Sequence, residues 1–347
     1  MSAPPKVSVL IPTYNYGRYL PEAIESVLRQ DFGDFELIVS DDCSTDDTSR
    51  ILLDYATRDP RIRVHIHKQN LGMVANWNWC LQQARGEYIR YLFGDDCLAT
   101  PHALGLMVAL LDAHPEASLA VSARFTIDEH STITGIWDEL KTEGIHKSGT
   151  IISRCLIESH NLVGEPSVVL FRRAQGLRGF ASNLRQIVDL EMWFHLLLQG
   201  NAVYTAEPLC CFRLHSGQQT AVNRTTKAGY LEMVGILREY LPQLTSRNPP
   251  SISPITLKKI LFRALVHLEN KKGSQPTLSA EVEWLRNQLP ALPRMLCWFD
   301  YRIKRPLENL RRSMRKRILR RKMRHAYPSH IAFVQALRNP PQANRTH

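Results

Sequence analysis

The chain has 347 residues, of which 44% are hydrophobic and 22% are charged. This composition is too apolar for a disordered chain, and the length allows two domains or one large α/β domain with an appendage. The whole formal net charge of +11 lies between residues 294 and 324, where 13 Lys and Arg oppose Asp300 and Glu308, so only this segment is a candidate for a polyanionic partner.

Short apolar segments alternate with helical patterns in the first third of the chain. Between the first two apolar segments, Leu20, Ile24, Val27 and Leu28 recur with the spacing of one helical face. The predicted strands are 7–11, 35–39, 61–66 and 87–93, and the predicted helices between and after them are 20–28, 46–55, 73–84 and 100–113. This alternation predicts an α/β fold with a mostly parallel central sheet flanked by helices.

The pattern becomes mixed after residue 118. Segments 118–127, 167–171 and 202–214 are predicted to be extended, whereas 151–159 and 189–198 are predicted to be helical. From residue 227 onward the chain is mostly helical in character and richer in charge. We therefore expect a C-terminal helical extension after the α/β domain.

Polar residues follow three of the predicted strands. The first strand ends in Pro-Thr-Tyr-Asn (12–15), the second in Asp41-Asp42, and the fourth in Gly94-Asp95-Asp96. Ligands of open α/β sheets bind beyond the carboxyl ends of the strands. Two acidic pairs there would repel each other unless a divalent cation with a phosphate ligand lay between them. The alternative is that the pairs are solvated turn residues or helix caps.

Several common motifs are absent from the sequence. It has no Gly-x-Gly-x-x-Gly after the first strand and no P-loop, which disfavours dinucleotide dehydrogenases and P-loop NTPases. It also lacks the Gly-x-Ser-x-Gly and His-Glu-x-x-His motifs of hydrolases. The seven Cys form no Cys-x-x-Cys pair, which argues against a disulfide framework or a zinc site and for a reducing compartment.

Four segments together resemble the family 2 glycosyltransferases. They are Val-Ser-Val-Leu-Ile-Pro-Thr-Tyr-Asn (7–15), Phe-Glu-Leu-Ile-Val-Ser-Asp-Asp-Cys-Ser-Thr-Asp (35–46), Asn-Leu-Gly (70–72) with Asn76, and Gly-Glu-Tyr-Ile (86–89) leading to Gly-Asp-Asp (94–96). The resemblance implies a GT-A domain over 1–220, with a nucleotide-sugar half at about 1–115 and an acceptor half at about 116–220. Residues 221–293 would be a helical extension and 294–347 a basic amphipathic tail.

The resemblance also assigns residues to a nucleoside-diphosphate sugar. Tyr14 would lie beside the base, Asp42 would accept from the base edge, and Asp95 would lie near the ribose. Asp96 would hold a Mn²⁺ or Mg²⁺ ion that bridges the diphosphate, although the frequent Asp-x-Asp motif is reduced here to an adjacent pair. The full nucleotide-sugar set is Pro12, Thr13, Tyr14, Asp42, Asn70, Asn76 and Asp95.

The catalytic base is expected from the second half of the domain. Val-Asp-Leu-Glu-Met-Trp (188–193) resembles the family segment that carries it, with Asp189 as the base and Val188 in place of the usual Glu. Asp189 could instead cap a helix, and Glu191 is the fallback base. The segment 212–216 resembles one that closes over the diphosphate, so His215 is expected on the metal or a phosphate, or else at the surface.

The resemblance implies an inverting transfer of a sugar to a hydroxyl of a saccharide or lipid-linked acceptor in cell-surface polysaccharide or glycan biosynthesis. UDP is the expected carrier of the sugar by family, and GDP and dTDP sugars stay open. The rivals are a sugar nucleotidyltransferase, which would need a Gly-rich basic loop after the first strand, and a non-catalytic nucleotide-sugar-binding protein. Intact acidic residues at positions 42, 95, 96 and 189 argue against the second rival.

Charge and apolar spacing also predict where the protein works. Apolar residues at 307, 310, 314 and 318 follow helical spacing among the basic residues of the tail. Such a basic amphipathic helix would bind an anionic membrane surface through 294–325, or would pack its apolar stripe on the body. No nucleic-acid module accompanies the charge. No apolar run reaches the ~20 residues that cross a bilayer and the N-terminus has no signal-peptide layout, so we expect a cytoplasmic protein, peripheral at the inner face of the membrane if the tail binds it.

Overall fold

The computed structural model describes residues 3–218, 228–246, 252–269, 278–287, 310, 313–314 and 326–338. The described strands are β1 (Val7–Thr13), β2 (Phe35–Asp41), β3 (Ile62–Ile66), β4 (Tyr88–Tyr91), β5 (Cys97–Leu98), β6 (Ala117–Ile127), β7 (Ile133–Trp137), β8 (Gly144–His146), β9 (Val169–Arg172) and β10 (Asn201–Arg213). The described α-helices are α1 (Leu20–Leu28), α2 (Thr48–Arg58), α3 (Met73–Gln83), α4 (Ala103–Ala113), α5 (Ser148–Glu158), α6 (Arg173–Gly176), α7 (Val188–Leu197), α8 (Ala228–Thr245), α9 (Pro254–Glu269), α10 (Leu278–Asn287) and α11 (Pro328–Leu337).

The ten strands form one sheet in the order β3-β2-β1-β4-β9-β6-β10-β5, with β7 on β6 and β8 on β10. Strands β3, β2, β1 and β4 are parallel, as the alternation of strands and helices predicts. Strand β9 is inserted antiparallel between β4 and β6, and β10 is parallel to β6. The predicted α/β fold, with a mostly parallel central sheet and flanking helices, is confirmed.

Burial on both faces explains why the inner strands are apolar along their whole length. Every residue of β1 is buried, which is expected for a parallel strand covered by helices on each side. Helix α1 buries Leu20, Ala23, Ile24 and Val27 in the same apolar core as this strand. A fully buried aliphatic side chain of this kind contributes about 1.5–3 kcal/mol, so this packing holds the strand ends in fixed positions.

Strand β4 is shorter than the predicted segment 87–93. The Phe93 amide donates to the Ser167 hydroxyl at 3.1 Å instead of to a neighbouring strand. The Asp96 amide then donates to the Phe93 carbonyl at 2.9 Å and closes a turn. The chain therefore leaves the sheet just before the second acidic pair and presents it beyond the strand end.

Helix α11 lies within the range that the sequence assigns to the basic tail. Its Val334 and Leu337 are buried in a second apolar cluster with Phe125, Ile127 and Cys211 of the sheet. The basic segment itself lies outside the described residues except for positions 310, 313 and 314, which are exposed. The proposed membrane helix and the domain boundaries therefore stay predictions. Among the described helices, none combines the length and apolarity that a membrane span requires.

Candidate active site

A cleft of about 650 Å³ opens at the carboxyl ends of β1, β2 and β4. Parallel register puts Thr13 of β1 beside Asp41 of β2, so the polar residues that follow the two strands meet at one edge. Residues that precede and begin α7 form another part of the lining. The predicted site residues that line the cleft are Pro12, Thr13, Tyr14, Asp42, Asn70, Asn76, Asp95 and Asp189.

The two members of the first acidic pair have different surroundings. Asp41 is buried and accepts hydrogen bonds from the Ser44 and Ser49 hydroxyls. Asp42 lines the cleft, where its carboxylate accepts from the amides of Leu71 and Gly72 at 2.6 and 3.0 Å. Of the two, Asp42 lines the cleft, and Asp41 stabilises the turn behind it.

Asn70 and Asn76 support the same end of the cleft. The Asn70 side chain donates to the Asp42 carbonyl at 2.9 Å. Asn76 is buried, and its amide group donates to the Ser40 carbonyl while its oxygen accepts from the Ser40 hydroxyl. Both asparagines thus hold the backbone of β2 and its following turn, and Asn70 holds it at Asp42 itself.

The second acidic pair is also divided. Asp96 is buried, and its two carboxylate oxygens accept from the Arg213 amide at 3.0 Å and the Ser167 hydroxyl at 2.5 Å. Burial, and then the neighbouring Asp95 charge, raise the pKa of Asp96 well above its usual range. Asp95 lines the cleft instead, with its Oδ2 atom 3.1 Å from Nε2 of His215. Of the predicted acidic pair, Asp95 is the member that lines the cleft and Asp96 lies buried behind it.

Arg213 and Tyr16 hold Asp95 in place, and the sequence analysis did not identify either role. The fully buried Arg213 donates from Nε to the Asp95 carbonyl at 2.7 Å and from Nη2 to Glu22 at 2.8 Å. The Tyr16 phenol also bonds to Asp95, and burial followed by the two aspartate charges raises the pKa of this phenol. Neither role has a local sequence signal, because each depends on a contact made only in the folded chain.

The donor set beside the cleft fits a divalent cation. The Asp95 carboxylate and His215 imidazole converge at 3.1 Å, and carboxylate oxygen with imidazole nitrogen suits Mn²⁺, with Mg²⁺ favouring the oxygen. The Thr13 hydroxyl, which also lines the cleft, is buried without a hydrogen-bond partner among the described residues. Its free donor and acceptor are available to a bound oxygen ligand.

Glycine at position 94 leaves room for the side chains of Thr13 and Tyr16 beside the second acidic pair. A Cβ atom there would lie 2.9 Å from Oγ1 of Thr13 and 3.4 Å from Cβ of Tyr16. Both distances are at or below ordinary contact, so a side chain at position 94 would displace Thr13 or Tyr16. This close approach accounts for the absence of a first aspartate in the expected Asp-x-Asp pattern.

Asp189 lies in the first turn of α7 and lines the cleft. Its Oδ2 atom accepts from Nδ2 of Asn161 at 2.9 Å. Removal from water raises the pKa of the Asp189 carboxyl to about 7, and the Glu165 charge adds to the effect. Ile187 is the N-cap residue and makes no side-chain cap hydrogen bond. Oδ1 of Asp189 accepts from the Leu190 amide at 2.8 Å, so Asp189 both satisfies an amide in the first turn of α7 and lines the cleft.

Glu191, the fallback base, does not face the cleft. It is buried in a two-bond ion pair with Arg178, at 2.8 and 2.7 Å, and accepts from the Tyr240 hydroxyl at 2.5 Å. Its two oxygens are already engaged by Arg178 and Tyr240, so neither is directed at the cleft. The geometry therefore favours Asp189 as the acid–base residue of this helix.

Comparison with known proteins identifies the chain's relatives. Residues 8–172 match the family model described as Glycosyl transferase family 2. The protein named "Putative glycosyltransferase EpsE" from Bacillus subtilis is 32% identical over 60% of this chain and 72% of its own length. "Putative teichuronic acid biosynthesis glycosyltransferase TuaG" from the same organism is 30% identical over 58% of this chain and 75% of its own length.

Solved structures with the same fold include a nucleotide-sugar complex. Residues 1–349 of Staphylococcus aureus TarS, crystallised with UDP-GlcNAc, superpose with a TM-score of 0.62 at 19% identity. The superposition covers 81% of this chain and 79% of the TarS chain. At this identity the likeness concerns the fold alone.

Proposed function

Because the chain belongs to glycosyl transferase family 2, we propose that it transfers a sugar from a UDP-linked donor to an acceptor hydroxyl with inversion of the anomeric centre. The observation that carries the proposal is one cleft that has Asp42 and Asp95 at the strand ends and Asp189 at the start of α7. The UDP-GlcNAc bound by TarS supports a UDP sugar as the donor. The name of TuaG supports a saccharide or lipid-linked acceptor in the synthesis of cell-surface polysaccharide.

Asp189 is the general base of the proposed reaction. Its ionised carboxylate removes the proton from the acceptor hydroxyl while the acceptor oxygen attacks the anomeric carbon. The bond between that carbon and the diphosphate breaks on the opposite face, and a nucleoside diphosphate leaves. Asn161 holds the carboxylate in position by its hydrogen bond.

The nucleoside diphosphate would occupy the strand ends. Asp42 receives the base edge and Tyr14, which is exposed at the cleft, lies beside the base. Asp95 and His215 would hold Mn²⁺ or Mg²⁺, which supplies positive charge to the departing diphosphate. Because Asp96 is already bonded to Ser167 and Arg213, we propose that it supports Asp95 from behind instead of binding the cation directly.

We predict that Asp189→Asn abolishes transfer but leaves nucleotide binding unchanged. The amide cannot accept the acceptor proton, and general-base assistance is worth about 10²–10⁴ in rate. The measurements are transfer from a panel of UDP, GDP and dTDP sugars and calorimetric binding of UDP with Mn²⁺. Transfer by the variant at the wild-type rate would exclude Asp189 as the base.

The same substitution has an internal control for folding. The folded-state pKa of about 7 lies above that of an unfolded aspartate, so ionisation of Asp189 disfavours the fold increasingly from about pH 4 to about pH 7. The Asn variant does not ionise at this position. The melting temperature of the variant minus that of the wild type should therefore increase as the pH rises through this range. A variant that is inactive because it is misfolded would instead melt lower at every pH.

Asp95→Asn separates this proposal from a non-catalytic nucleotide-binding protein. The variant should lose the dependence of UDP binding on Mn²⁺, because Asp95 is the carboxylate that faces the cleft. Glu129→Gln is a matched control, since that carboxylate is exposed.

A wild-type chain that binds UDP but transfers no sugar from any donor in the panel would support the rival. Release of pyrophosphate from a sugar phosphate and UTP would support a nucleotidyltransferase.

A further inference from the structure

Three potential metal ligands converge at the junction between α11 and the catalytic domain. His102 precedes α4, Glu207 belongs to β10, and His330 belongs to α11. Oε1 of Glu207 lies 2.6 Å from Nε2 of His102 and 3.2 Å from Nε2 of His330. The three ligand atoms all lie within 4.8 Å of one another. None of the three residues lines the catalytic cleft.

The histidine rings are held with their Nε2 atoms directed at this point. Nδ1 of His102 lies 2.9 Å from the Thr100 hydroxyl, which can accept a hydrogen bond from Nδ1–H. In that tautomer the Nε2 lone pair is available to a metal ion. The ring of His330 packs edge-on against Phe125 and Tyr327, at centroid distances of 5.9 and 5.4 Å. Fixed rings with a defined tautomer are what distinguishes a ligand site from a chance cluster of polar residues.

The distances suit a small four-coordinate ion. Ligand bonds of about 2.0–2.1 Å in a tetrahedron separate ligand atoms by about 3.3 Å, which lies within the range observed between these atoms. The site is buried on the His330 side and open on the His102 side: the His330 side chain is 8% exposed and the His102 side chain is 47% exposed. An ion could therefore enter from the His102 side and keep a water as its fourth ligand.

We propose that His102, Glu207 and His330 bind a Zn²⁺ ion that fastens α11 to the catalytic domain. Two imidazoles and one carboxylate favour zinc over Mg²⁺, which prefers oxygen ligands. The ligands come from three separated parts of the chain and include no cysteine, so the sequence pattern that argues against a zinc site could not detect this one. The ion would add to the burial of Val334 and Leu337 that already holds the helix.

The proposal is tested by zinc titration of the full-length chain after removal of metals. Wild type should bind one equivalent of Zn²⁺ that persists in an Asp95→Ala, His215→Ala background, because the catalytic cleft is not involved. His102→Ala should weaken this binding by at least about tenfold. His102 is exposed, so its removal leaves the fold intact, and Glu207→Gln and His330→Gln should act in the same direction.

His114→Ala is the matched control for these variants. His114 also pairs with a glutamate, with Nδ1 3.2 Å from Oε1 of Glu116, but the described residues place no second histidine with that pair. Its removal should leave zinc affinity unchanged. Hydrogen exchange supplies the structural readout, since Zn²⁺ should slow exchange of the α11 amides in wild type and not in His102→Ala. Equal zinc affinity in wild type and His102→Ala, or unchanged α11 exchange in saturated wild type, would overturn the proposal.

Discussion

The protonation state of Asp189 depends on burial and on neighbours with opposite effects. Burial raises the pKa of its carboxyl most, and the Glu165 charge adds to this, whereas hydrogen bonds from the Leu190 backbone amide and the Asn161 side chain favour the ionised form. The resulting pKa of about 7 predicts that kcat/KM rises with pH through an acid limb near pH 7. We expect Asn161→Ala to move this limb up by about one pH unit and Glu165→Gln to move it down.

The opposite directions of the two shifts distinguish electrostatics from damage to the fold. Asn161 also tethers its own loop, because its side chain bonds to the backbone of Val163 and Gly164. Asn78 tethers the backbone of Phe180 in the same two-bond manner without contacting Asp189. Asn78→Ala should therefore lower stability without moving the acid limb. Shifts of the same sign for Asn161→Ala and Glu165→Gln would contradict the assignment.

Residues of the site were predictable where a local motif carries them. Asp42, Asp95 and Asp189 each follow a strand or begin a helix, so the sequence brings them to one cleft. The division within the second acidic pair was not predictable, because it depends on Ser167 and Arg213, which bond to Asp96 from 71 and 117 residues away. Asn161 was missed for the same reason, since it meets Asp189 only through tertiary packing.

At the scale of elements, helix α8 supports the segment that leads into α7, which carries the proposed base Asp189. The Glu232 carboxylate accepts from the amides of Arg185, Gln186 and Ile187, at 2.8, 2.9 and 3.1 Å. These amides immediately precede α7, so a residue of the predicted helical extension holds the start of the helix that contains Asp189. The extension is therefore coupled to the active site through backbone hydrogen bonds.

Removal of this support should lower both stability and turnover. We expect Glu232→Ala to destabilise the fold by about 1–3 kcal/mol, because three amides lose a charged acceptor. Glu239→Ala is the matched control on the same helix, since Glu239 is exposed. Thermal unfolding and kcat are the measurements. The proposed base lies on α7 whereas the nucleotide is proposed to lie at the strand ends, so kcat should fall more than UDP affinity. Equal effects of the two substitutions would show that Glu232 does not support α7.

The elements themselves follow from hydrophobic spacing, but their pairing does not. The predicted segments 35–39 and 73–84 become β2 and α3 with differences of two residues or fewer at each end. Hydrophobic spacing could not predict the antiparallel insertion of β9 between β4 and β6. A short, mainly apolar strand of four residues fits a sheet in either direction. That insertion positions Ser167, just before β9, against Asp96 and so shapes the site.

At the scale of the whole molecule, α11, which follows the basic segment in the sequence, packs on the α/β sheet. The α11 carbonyl of Ala336 accepts from Arg29 at 3.2 Å, and Arg338 donates to the Thr132 hydroxyl at 3.1 Å. Val334 and Leu337 cover Phe125 and Ile127 of the sheet. Truncation before residue 294 would therefore remove a helix that completes a core, and its effects could not be assigned to the basic segment alone.

Charge substitution avoids this difficulty and tests the predicted membrane role. We expect replacement by Gln of the nine Lys and Arg residues between 311 and 324 to abolish binding to anionic vesicles, because each base near the lipid contributes about 1 kcal/mol. Hydrolysis of the donor should be unchanged, since no residue of that segment lines the described cleft. The matched control replaces exposed bases of the body, such as Arg50 and Lys68. Binding to anionic vesicles that survives the nine substitutions would assign the attraction to another part of the protein.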